Sequence, residues 1–189
     1  MRFEAFCSLA YGAQGIEYWR LTTSDKVVKE SGLPRFGDAP LDRKGDIHDL
    51  SIYNAIKTLN SEIRKGQSIF LGAVPKKVRH TGEETWKDVD YYQPGESFGP
   101  LHSIVTTSKG AIVSWLVNGS DNYLLIVNHD PINSQAITLY VDNLTTIWRV
   151  SLTKQPDLSV FHEGDESKPP QSVFIKQTLE AGGYLLLKW

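Results

Sequence analysis

The spacing of apolar residues changes partway along this chain, and that change limits what it can fold into. Up to about residue 66 the apolar positions recur at helical intervals or are broken by loops. From about residue 70 they alternate, with dense turn signals between short runs. Such a chain reads as α+β, a short helical segment followed by an antiparallel β domain, and the boundary is expected between about 66 and 80.

Residues 2–11 read as an amphipathic helix with Phe3, Phe6, Cys7 and Ala10 on its apolar side, and Gly12 is its natural stop. Gly15 then opens an expected strand running to Trp19 or Leu21. Residues 22–46 carry Gly32, Pro34, Gly37, Pro40 and Gly45 and few apolar side chains, the mark of a long loop. A second helix is predicted from Asp49, its N-cap, to Gly66, with Ile52, Ile56, Leu59 and Ile63 along one face. Beyond it, strands are predicted at 101–107, 111–118, 122–128, 136–141, 146–152, 172–175 and 183–189. The first two are expected to form a hairpin around Ser108-Lys109-Gly110. About seven short strands at this spacing point to a sandwich. The polar run Glu163 to Gln171 is expected to be an exposed excursion.

At 189 residues with 40% hydrophobic and 22% charged content, the chain can bury one core, or two small ones of roughly 80–100 residues each. A formal net charge of -2 gives no electrostatic reason to expect nucleic acid or an anionic membrane as partner. No apolar run approaches the roughly 20 residues that cross a bilayer. The first residues lack a secretory profile, which leaves the compartment unassigned. The single cysteine, Cys7, excludes an internal disulfide and reads as a packed thiol.

The segment Ser8 to Arg20, the loop Asp38-Ala39-Pro40-Leu41-Asp42-Arg43-Lys44-Gly45, the helix Tyr53 to Ile63 and the closing run Gly182 to Trp189 together resemble the C-terminal part of (β/α)8-barrel glycoside hydrolases, close to the β-galactosidase-like enzymes of gut Bacteroides. The resemblance implies a remnant of a TIM barrel over residues 1–70, its last strand and helix, followed by an antiparallel β-sandwich over 71–189. It implies carbohydrate metabolism. It also places the catalytic acid and nucleophile of such enzymes on strands that would precede Met1, so no catalytic residue is assigned and the chain is expected to be the tail of something larger. A pair of opposed carboxylates is what glycoside hydrolysis ordinarily requires.

Five residues are candidates for holding a saccharide. Glu17 and Trp19 fall on one side of the expected strand, and the resemblance implies an aromatic floor for a sugar at its end. Trp86, Tyr91 and Tyr92 cluster with Phe98 in a stretch punctuated by proline and glycine and are expected to be exposed. Trp115 and Trp148 lie within strand patterns and are expected in the core. The histidines His48, His80, His102, His129 and His162 are scattered, without the short spacing of a zinc site. Asp25, Asp38, Asp42 and Asp46 lack the calcium-loop pattern and read as turn residues. No serine elbow or phosphate-binding glycine loop is present, so no metal or cofactor is implied. Asn118-Gly119-Ser120 and Asn143-Leu144-Thr145 match glycosylation acceptors, although turn chemistry accounts for both. The expected partners are a carbohydrate ligand and either a second copy of the chain or a separately encoded barrel. The rival reading is a carbohydrate-binding or purely structural β-sandwich module.

Overall fold

The computed structural model describes residues 1–18, 21–22, 39–42, 44–83, 87–107, 109–142, 146–153, 158–159 and 173–189. These fall into two compact units, residues 1–15 with 66–189, and residues 16–65. The fold is α+β and mostly antiparallel sheet.

Among the described residues of the larger unit, helix α1 (Arg2–Ala10) is followed, after the smaller unit, by the single-turn α3 (Gln67–Phe70) and nine strands. The strands are β1 (Val74–His80), β2 (Leu101–Thr106), β3 (Ala111–Asn118), β4 (Asp121–Asn128), β5 (Gln135–Val141), β6 (Trp148–Arg149), β7 (Leu158–Ser159), β8 (Val173–Leu179) and β9 (Tyr184–Lys188). They form a six-stranded sheet in the order β1-β3-β4-β9-β6-β7 and a three-stranded sheet in the order β2-β5-β8. Every named pairing in both sheets is antiparallel.

Alternation along the strands builds the core. Val113, Leu124, Ile126, Leu185 and Leu187 of the large sheet meet Ile137, Leu139, Val141, Ile175 and Leu179 of the small one in a single apolar cluster. The intervening positions of the large sheet face the other way, and Leu116, Leu125 and Leu186 among them are still essentially solvent-free. Within this unit α1 covers that second face. Phe6 stacks on Tyr184 with ring centroids 3.9 Å apart. The buried Ser114 hydroxyl donates to the carbonyl of Ala10 at 2.6 Å. Strands covered on both faces carry unbroken apolar runs, which is why Tyr123 to Val127 and Tyr184 to Leu187 lack polar alternation.

Turn chemistry fixes the ends. The Asn118 side-chain amide donates to the carbonyls of Ser68, Ile69 and Leu71, tying α3 to the end of β3. Asn128, Asp130 and Gln135 organise the β4–β5 connection. Asp130 accepts from the backbone N–H groups of Ile132 and Asn133 and from the Asn133 amide, and these hold its carboxyl down at about 2.

The smaller unit holds α2 (Leu50–Lys65). Asp49 caps it as expected, its side chain accepting from the Ile52 amide at 3.0 Å. Leu59 and Glu62 are its buried residues. The Asp42 side chain accepts from the backbone amides of Lys44 and Asp46, the turn role anticipated for the loop aspartates. Asp25 and Asp38 lie outside the described residues.

Three expectations are corrected, and one strand is added. Ile16 to Tyr18, the described part of that segment before residue 19, form no strand, and the Tyr18 hydroxyl donates to the Asn60 side chain. The strands at 101–106 and 111–118 are not a hairpin, since β2 pairs with β5 and β3 with β1 and β4. The chain changes sheet there because Ala111 re-enters beside β1, its amide donating to the Thr81 hydroxyl while the Thr81 amide donates to the Ala111 carbonyl. The strand expected over 146–152 shrinks to Trp148–Arg149, and Trp148 is 48% exposed because its register opposite Lys188 turns it away from the core. Finally, Val74–His80 forms an unforeseen edge strand, rich in Lys and Arg. No described helix is long and apolar enough to cross a membrane.

Candidate functional site

Of the five residues singled out from sequence, three fall among the described residues. Trp19 and Trp86 lie outside the described residues. Glu17 is exposed, in the smaller unit. Tyr91 and Tyr92, in the larger unit, are half-buried rather than exposed. The Tyr92 hydroxyl donates to the His102 carbonyl at 2.8 Å, and its ring packs against Phe98 at the core edge. Tyr91 meets the edge of the His80 ring, with centroids 6.2 Å apart.

Phe98 continues into an aromatic row. Its ring is 6.3 Å from Trp115, which is 5.8 Å from Trp189. The Trp115 face is occupied, since Lys76 Nζ sits 3.9 Å from its centroid, and the indole N–H donates to Asn122 at 3.0 Å. Beside it the Glu96 carboxylate accepts from Arg79 at 3.0 Å, and Lys77 lies 3.1 Å away. Burial pushes Glu96 up, but the hydrogen bonds from Arg79 and Lys77 outweigh it and hold the carboxyl below its ordinary range. The charges of Lys76, Lys77, Arg79 and Glu96 are each met by a partner inside the protein. The row is a seal for one end of the core.

The outer face of the three-stranded sheet is different. Its central strand buries Ile137, Leu139 and Val141 and turns Ala136, Thr138 and Tyr140 outward. Tyr140 is directly opposite Phe174 on β8 and Ser103 on β2, and Thr138 is opposite Lys176 and Val105. Tyr140 is 36% exposed and Val105 53%. The Lys176 ammonium sits 5.1 Å from the Phe174 ring centroid, which fixes a cation at the border of the aromatic pair. The face thus presents two neighbouring aromatic rings, hydroxyls from Ser103, Thr138 and Thr178, and one ammonium. Flat apolar rings beside hydroxyl-bearing side chains match the amphipathic faces of a pyranose, apolar C–H groups on one side and hydroxyls around the rim. The pairing of Tyr140 with Phe174 depends on a register between residues 34 positions apart in sequence, and neither residue carries a local motif.

Among the described residues, no group of three or more His, Cys, Asp or Glu side chains is placed to hold a metal ion. Comparison with protein families, with curated proteins and with solved structures finds no match to this chain.

Proposed function

We propose that the chain is a non-catalytic, saccharide-binding β-sandwich module from the C-terminal part of a glycoside hydrolase. In this reading the two sheets of the larger unit are the sandwich. The reading is supported by one observation above all, the Tyr140–Phe174 pair set among hydroxyls on the outer face of β2-β5-β8. Stacking of a pyranose on such rings and hydrogen bonds from the flanking hydroxyls are the interactions that hold sugars from water.

The test is binding to a panel of β-galactans and related plant and mucin polysaccharides, by affinity electrophoresis and then calorimetry. Tyr140→Ala and Phe174→Ala are each expected to weaken binding by roughly tenfold, about 1.4 kcal/mol. The protein is expected to leave aryl β-galactosides intact. Binding that survives both substitutions but disappears with Trp86→Ala would move the site to residues 86–92, and binding to no glycan at all would sink the proposal.

A further inference from the structure

Helix α1 touches the large sheet along two rows. Ala5, Phe6, Leu9 and Ala10 are its buried residues, and beside them Phe3, half-buried Cys7 and the C-cap Tyr11, 50% exposed, recur four apart. The second row runs along a pair of histidines that sequence leaves 49 positions apart. His80, at the end of β1, and His129, just past β4, stand edge to face with ring centroids 5.2 Å apart. Phe3 lies 5.8 Å from the His129 ring, and the Tyr11 hydroxyl is 2.6 Å from His80 Nε2.

His80 is 6% exposed, and its Nδ1 is buried with no hydrogen-bond partner among the described residues. The neutral ring tolerates this arrangement at modest cost. The imidazolium does not, since both nitrogens then carry protons and the buried Nδ1–H has no acceptor. The groups facing the pair do not offset a positive charge fully. On α1 and its C-cap stand Cys7 and Tyr11, with Glu4 acting on Cys7 and paired with the amino terminus, and Arg2 lying over the Phe6 and Tyr184 rings. From the segment after β1 come Asp90, within electrostatic reach of Tyr11, and the Tyr91 ring. Ahead of β3 stands Lys109, which repels a charge on His129.

We propose that the Tyr11–His80–His129 seam is an acid-sensitive latch, so that α1 is docked at neutral pH and released from the sheet in mildly acidic surroundings. Burial lowers the affinity of both imidazoles for a proton, and each is further disfavoured by a neighbouring positive charge, His129 for His80 and Lys109 for His129. The sign follows directly. With folded values below the ordinary 6.5, the released state binds more protons, so docking weakens as pH falls from about 6.5 toward the folded values.

Cys7 reports the event. It is the single thiol, it sits in the middle of the seam row, and burial with Glu4 nearby pushes its pKa to about 12. The experiment is the rate of Cys7 reaction with 4,4′-dithiodipyridine, a reagent that retains reactivity toward thiols in acid, divided at each pH by the rate of an unstructured cysteine peptide. Between pH 7.5 and 5.0 the normalised rate is expected to rise at least tenfold. His80→Gln with His129→Gln is expected to flatten the rise, and His129→Gln alone, at the less buried position, to reduce it. Hydrogen exchange at β4 amides is expected to stay slow throughout. A normalised rate independent of pH overturns the proposal, as does an equal rise in the variants, or β4 exchange accelerating together with Cys7.

Discussion

The hydroxyl of Ser114, at the middle of β3, donates a 2.6 Å hydrogen bond to the carbonyl of Ala10 at the end of α1, 104 positions earlier in sequence. Ser114 is fully buried, and Ala10 is too. One short polar bond therefore fixes how far along the sheet the helix sits.

Ser114→Ala removes that donor and strands a buried carbonyl. The expected loss is about 1–3 kcal/mol. Urea unfolding followed by circular dichroism checks it, with the midpoint lowered and the slope unchanged.

Phe6→Ala tests the apolar half of the same contact. The ring is solvent-free and stacked on Tyr184 at 3.9 Å, so truncation opens a cavity between helix and sheet. A cost of about 3–5 kcal/mol is expected. Thermal unfolding reads it, and Phe6→Leu is expected to recover a large share.

Glu96→Gln addresses the charged seal at the end of the core. Because the folded carboxyl titrates below its unfolded range, the ion pairs contribute in full above about pH 4.3 and their contribution fades as pH falls through the folded value. The variant is expected to cost about 1 kcal/mol at pH 7, a modest figure because Arg79 and Lys77 retain partial exposure and water screens them. Chemical denaturation of both proteins from pH 7 to pH 3 is expected to show the difference shrinking with acid.

Gly110→Ala separates backbone conformation from crowding. Gly110 has φ +88°, and a Cβ there would land on the Thr81 carbonyl at the crossing between sheets. Gly95 has φ +83° and open space around it. Gly95→Ala is expected to cost only the left-handed penalty of about 1–2 kcal/mol, and Gly110→Ala clearly more. Equal midpoints for the two variants would contradict this reading.

Local signals carried much of the fold. The Asp49 cap, α1 and its Gly12 stop, and strands β3, β4, β5 and β9 follow from periodicity and turn residues that act over a few positions. Pairing between distant segments was not legible. The Ser108-Lys109-Gly110 stretch has hairpin composition, yet Thr81 captures the chain on its far side and sends it into the other sheet. For the same reason the proposed saccharide face and the His80–His129 pair went unseen. Each is assembled by strand register, and neither Tyr140 with Phe174 nor Tyr11 with His80 has any signature within reach of a motif. The aromatic cluster at 91–98 was visible as composition, but composition does not say that Tyr92 and Phe98 turn toward Trp115.

The clamp made by Asn118 bears on how this protein ages. Asn-Gly is the dipeptide most prone to succinimide formation, because the following backbone nitrogen attacks the side-chain carbonyl unhindered by a Cβ. Here the Asn118 amide nitrogen is engaged by three carbonyls, which restrains the rotation that attack demands. Conversion to aspartate would exchange three donated bonds for a carboxylate facing three carbonyl oxygens, and α3 would lose its tether. Chemical wear at this one side chain, at the end of β3, would register as a loosened turn before β1.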